Sequence, residues 1–93
     1  MPAQQQEEKG RAERENQAHQ RRRLVISEQV VQLLGEPGNL HAIQVRKLWD
    51  DHYRVNVFVG ADAASATIAH SYFLLTDAEG NIIAATPKIA RQY

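Results

Sequence analysis

Asp50, Asp51 and His52 are consecutive. A carboxylate beside an imidazole is a pairing used for proton transfer, or for oxygen and nitrogen ligation of a metal. Three adjacent residues on a tight turn point in different directions, however, and Asp is a common turn residue in its own right. His19, His41 and His70 have no metal-ligand spacing: no His-x-x-x-His pair occurs, and the chain has no cysteine. Ser27, Ser65 and Ser71 show no nucleophile–base arrangement. GEPG at 35–38 lacks the preceding strand and following helix that a phosphate loop requires. No catalytic residue, metal ligand or cofactor contact is assigned, and a non-enzymatic protein is expected.

Basic residues give a second candidate chemistry. Arg21, Arg22 and Arg23 form the one basic cluster, and guanidinium groups hold phosphate or carboxylate bidentately. Arg46 and Arg54, together with Phe58 and Phe73, outline a sheet on which bases could stack. The glycine-and-aromatic signature of that class is absent. The favoured reading of Arg46 and Arg54 is a half-wet sheet face on which arginine stems lie along apolar neighbours. These five arginines are the candidate nucleic-acid contacts.

The elements that must position these groups start with residues 41–59, HAIQVRKLWDDHYRVNVFV. Ile43, Val45 and Trp49 alternate on one side of a first strand; Tyr53, Val55, Val57 and Val59 alternate on one side of a second. A three-residue loop, Asp50-Asp51-His52, sets Trp49 opposite Tyr53, Lys47 opposite Val55, Val45 opposite Val57 and Ile43 opposite Val59. On the other face Arg46 then meets Asn56, Leu48 meets Arg54 and Gln44 meets Phe58. A two-residue loop would put Val45 opposite Asn56 and Ile43 opposite Phe58, scattering polar groups onto the core side.

Ninety-three residues make one domain at most. Residues 1–23 contain no Val, Ile, Leu, Phe, Trp or Tyr, and carry six basic against four acidic groups, a net +2. They read as a polar N-terminal arm, either disordered or a helical extension. Residues 24–93 carry a net −2 and hold the fold. Leu24 to Leu34 is the helix candidate, with Ser27 as N-cap, Ile26 and Val31 as a hydrophobic staple, and Gly35 at C′. Residues 66–76 read as a third strand, with Ile68, His70, Tyr72 and Leu74 on one side and Ala69, Ser71, Phe73 and Leu75 on the other. Asp77-Ala78-Glu79-Gly80 signals a type I turn with a G1 bulge. The fourth strand, residues 81–86, is ended by Pro87. The segment LLTDAEGNIIAATP, 14 of 93 residues, resembles the hairpins of bacterial sensory domains of the PAS type; no function or site is carried across.

The expected fold is α+β: a short N-terminal helix packed on a four-stranded antiparallel meander, preceded by the polar arm. One helix covers one face of such a sheet. Leu48, Phe58, Phe73, Leu75 and Ile83 are the candidate interface residues on the other, because an exposed apolar patch marks an interaction surface. The favoured function is a protein-interaction module that self-associates through its sheet, as a homo-oligomer with a dimer favoured. The alternatives are a nucleic-acid-binding protein using the arginines, and a small-ligand or catalytic domain with a pocket between helix and sheet or between subunits. No run of 18 apolar residues and no apolar segment behind the N-terminal charges occurs, so no membrane and a cytoplasmic location are expected.

Overall fold

Ile26, Val30 and Leu34 recur at four-residue spacing, which places them on one side of an α-helix, and all three are covered. A computed structural model describes residues 2–93, with side chains over 17–93. It comprises helix α1 (Pro2–Leu34) and strands β1 (Leu40–Trp49), β2 (His52–Val59), β3 (Thr67–Thr76) and β4 (Ile82–Thr86). The strands form one antiparallel sheet in the order β1-β2-β3-β4, and α1 packs against one of its faces. The α+β meander expected from the sequence is the fold.

The core lies between α1 and that face. Ile26, Val30 and Leu34 meet Val45, Tyr53, Val55, Val57, Tyr72 and Leu74, with Ile89 of the C-terminal tail closing one end. Burying one such side chain stabilises the fold by roughly 1.5–3 kcal/mol. Ser27 does not cap the helix: α1 is continuous through it, because the Glu, Gln, Arg and Ala upstream are good helix formers and nothing there stops the chain. Gly35 ends it as expected. Its φ is +88°, and its N–H donates to the Val31 carbonyl at 2.8 Å, an αL cap. The tail then returns, and the Gln92 and Tyr93 N–H groups donate to the Leu34 carbonyl at 2.8 and 3.2 Å.

The β1–β2 register departs from the expected one. The turn holds only Asp50 and Asp51, so Trp49 pairs with His52. Asp50 takes a left-handed φ of 44°, which Asp tolerates. A bulge then skips Leu48, and the ladder continues as Lys47–Tyr53, Arg46–Arg54, Val45–Val55, Gln44–Asn56, Ile43–Val57 and Ala42–Phe58. The extra residue restores the alternation that a two-residue turn alone would have broken. The expected pairings of Arg46 with Asn56, Leu48 with Arg54 and Gln44 with Phe58 are therefore replaced. Trp49 leaves the core side and joins His52 on the uncovered face, 54% exposed. A second bulge, at Ala69, pairs Ile68 with Phe58 and carries it to that face too, away from His70.

The β3–β4 hairpin closes as its sequence demands. Gly80 N–H donates to the Asp77 carbonyl at 3.1 Å, and Gly80 has a φ of +93°. The Asp77 carboxylate accepts from the Glu79 and Asn81 backbone N–H groups at 2.9 Å and from Asn81 Nδ2 at 3.0 Å. Helix and hairpin are joined by Gln29: its Nε2 donates to the Gly80 carbonyl at 2.8 Å, and its Oε1 accepts from Ile82 N–H at 3.0 Å.

Candidate functional site

Among the described residues no helix covers the second face of the sheet. The pairings place Gln44, Arg46, His52, Arg54, Asn56, Phe58, Ile68, Ser71, Phe73 and Leu75 there, joined by Trp49. At the turn end, Trp49 stacks on His52 with ring centroids 4.8 Å apart; Phe73 stands 5.8 Å from Trp49 and 5.9 Å from His52. Such ring pairs contribute beyond the area they bury. His52 Nδ1 is a buried polar atom without a hydrogen-bond partner among the described residues.

Across the middle of the face runs a row of polar groups. Arg54 Nη1 donates to Ser71 Oγ at 3.1 Å, Ser71 Oγ donates to Asn56 Oδ1 at 2.7 Å, and Asn56 Nδ2 donates to Gln44 Oε1 at 3.2 Å. The row fixes side chains on three neighbouring strands. Arg46 lies opposite Arg54. Like charges directly opposed across two strands destabilise the pair. Among the described residues the ion pair found is elsewhere, between Arg22 and Asp51 at 3.8 Å.

The interface candidates thus separate. Phe73 and Leu75 lie beside the Trp49–His52 pair, because His52 pairs with Leu75 and Arg54 with Phe73. Leu48 is the bulge residue between them and the rest of β1. Phe58 is at the opposite end, next to Ala42 and Ile68. Ile83 is skipped in the β3–β4 register and is 63% exposed on the edge strand. The sequence missed Trp49 on this face. Its placement follows from a two-residue Asp50-Asp51 turn together with the bulge at Leu48, a combination set by strand pairing.

The arginines separate as well. Arg46 and Arg54 share the uncovered face, whereas Arg21, Arg22 and Arg23 are on the helix packed against the other. Arg22 is already engaged, donating to the buried Tyr53 hydroxyl at 3.3 Å beside Asp51; Arg21 and Arg23 are exposed. Asp50, Asp51 and His52 are not brought together. Asp51 faces Arg22 and accepts Thr76 N–H on its carbonyl at 2.9 Å, while His52 lies under Trp49. Among the described residues no group of three potential metal ligands forms. His70 is at the tail, its Nε2 2.9 Å from the Tyr93 hydroxyl. Beside it, burial pushes the Tyr72 phenol above its ordinary range, with nearby Tyr93 adding to the effect.

A shallow groove runs between α1 and the free edge of β1. Gln20, Arg23, Leu24 and Ser27 line it from the helix, and Ile43, Gln44 and Val45 from the strand. Leu24 is 64% exposed there. The two edges of the sheet differ. β4 is five residues long and is followed by Pro87, whereas β1 has ten residues and no proline. No helix of the described residues is long and apolar enough to cross a membrane. Comparison with protein-family models, with curated proteins and with solved structures finds no match to this chain.

Proposed function

We propose that the chain is a non-enzymatic interaction module that self-associates through its β-sheet, forming a dimer by antiparallel pairing of two β1 strands. The observation that carries this reading is the free edge of β1, ten residues without proline, with the Leu24 groove open beside it. An exposed edge is a template for another strand; the bulges at His41 and Leu48 confine regular pairing on β1 to Ala42–Lys47, and β4 is too short and too close to Pro87 to serve equally. A two-fold axis normal to the sheet sets both helices on the same side, so the two Leu24 side chains approach each other as the strands pair. With the axis at Gln44, Arg46 of each copy faces Ala42 of the other, and no like charges oppose.

Pairing of two uncovered faces is disfavoured by charge. It would gather the arginines of both copies with no carboxylate among them. Leu48, Phe58, Phe73, Leu75 and Ile83 are accordingly read as an interaction surface for something other than the same face of a second copy.

Sedimentation equilibrium tests the reading. The full chain is expected at twice the 10.5 kDa of one chain. Leu24→Glu, whose side chain is exposed in the single copy, is expected to be a folded monomer. A monomeric wild type, or a Leu24→Glu dimer of unchanged affinity, would refute it.

A further inference from the structure

We infer that the uncovered face of the sheet binds single-stranded nucleic acid, with bases stacking on Trp49 and Phe73 and phosphates held by Arg46 and Arg54. Charge decides the class of occupant. Arg46 and Arg54 are exposed and directly opposed, an arrangement that an anion between them relieves. Among the described residues no acidic side chain shares their face. The acidic residues of the strand region, Asp50, Asp51, Asp62, Asp77 and Glu79, all lie in turns and connections.

The rings decide what kind of anion. Trp49 is 54% exposed, and the Trp49–Phe73 pair lies at the same end of the face as the arginines. Arg54 pairs across the strands with Phe73. Arg46 and Trp49 pair with Arg54 and His52, which are two residues apart on β2, about 7 Å along a strand. A polyanion whose repeating unit also offers a flat π-face matches both features, and a single strand offers its bases where a duplex keeps them stacked internally. Gln44 and Asn56, held in their row by hydrogen bonds, present amide groups to base edges. The site is complete within one copy, so it does not depend on how the chain assembles.

The test titrates the full chain with a single-stranded oligothymidylate and follows the fluorescence of Trp49, the one tryptophan of the chain. A saturable change is expected. At roughly 0.7 per phosphate neutralised, two arginines give a slope of log K against log salt of about −1.4, falling to about −0.7 in Arg46→Ala or Arg54→Ala. Trp49→Ala, followed by anisotropy of a labelled strand, is expected to weaken binding roughly 5- to 150-fold. Phe73→Leu keeps the apolar bulk and is expected to weaken binding while leaving the circular dichroism unchanged. Arg21→Ala with Arg23→Ala is expected to change nothing. Three results would overturn the inference: no binding at low salt; equal binding of polyglutamate with the same Trp49 response, which makes the occupant an acidic chain; or binding that survives Trp49→Ala and is lost with Arg21 and Arg23.

Discussion

Replacing Gln29 by Ala removes the side-chain hydrogen bonds by which the helix holds the β3–β4 hairpin. Its amide makes two bonds to the hairpin backbone, to the Gly80 carbonyl at 2.8 Å and from the Ile82 N–H at 3.0 Å. Each such bond contributes a net 0.5–1.5 kcal/mol or so, and about 1–3 kcal/mol when its partner is left buried and unmatched. Gly80 is buried and Ile82 half-buried, so the Gly80 carbonyl falls nearer the upper range and the Ile82 amide nearer the lower. The expected loss is therefore roughly 2–3 kcal/mol, a large share of the stability of a domain this small. Urea unfolding monitored by circular dichroism measures it, with the midpoint falling and the slope unchanged. Gln29→Glu keeps the acceptor for Ile82 but sets a carboxylate oxygen against the Gly80 carbonyl, so it is expected to cost more than Ala. A loss below about 0.5 kcal/mol for Ala, the floor for a single net bond, would show that the two bonds merely replace equivalent bonds to water and do not dock the helix.

Other perturbations follow from the same geometry. Gly35→Ala is expected to destabilise by about 1–3 kcal/mol in the same urea experiment, because Gly35 has φ +88° and an added Cβ collides with the Tyr93 carbonyl. The hydrogen bonds from Asn81, then Glu79 and Gly80, hold the Asp77 carboxyl below its usual range. A depressed carboxyl contributes stability above its unfolded pKa and loses it as pH falls through the folded one, so Asp77→Asn is expected to flatten the acid limb of a stability–pH profile below about pH 4. Truncating Leu24 to Ala should weaken the dimer. Covering the 64% that is exposed is worth roughly 1–2 kcal/mol per copy, and two copies together make about two orders of magnitude in Kd, read by dilution in sedimentation velocity.

The layers of this fold were legible because its core follows simple periods. Ile26, Val30 and Leu34 repeat at helical spacing, and Val55, Val57, Tyr72 and Leu74 alternate on their strands. The Asp77–Gly80 turn was legible for a different reason: Gly at the left-handed position has few substitutes. The uncovered face was harder to read. Its membership depends on two bulges, at Leu48 and Ala69, and a bulge is set by pairing between strands, to which no single residue gives a local cue. An alternation count therefore assigned Trp49 and Ile68 to the wrong side. The helix start at Ser27 failed because a cap needs a reason for the chain to leave the helix, and the upstream residues supply none. Gln29 was invisible, since its two partners are backbone groups roughly fifty residues further along the chain.

Amide hydrogen exchange of β1 at two protein concentrations tests edge pairing most directly. The free edge of β1 leaves alternate N–H groups without a bond inside one copy. If two copies pair there, those amides within Leu40–Trp49 gain protection as concentration rises, while the outer amides of β4 do not, and Leu24→Glu abolishes the gain. Protection of β1 that is independent of concentration, or a gain confined to another strand, would contradict assembly through this edge.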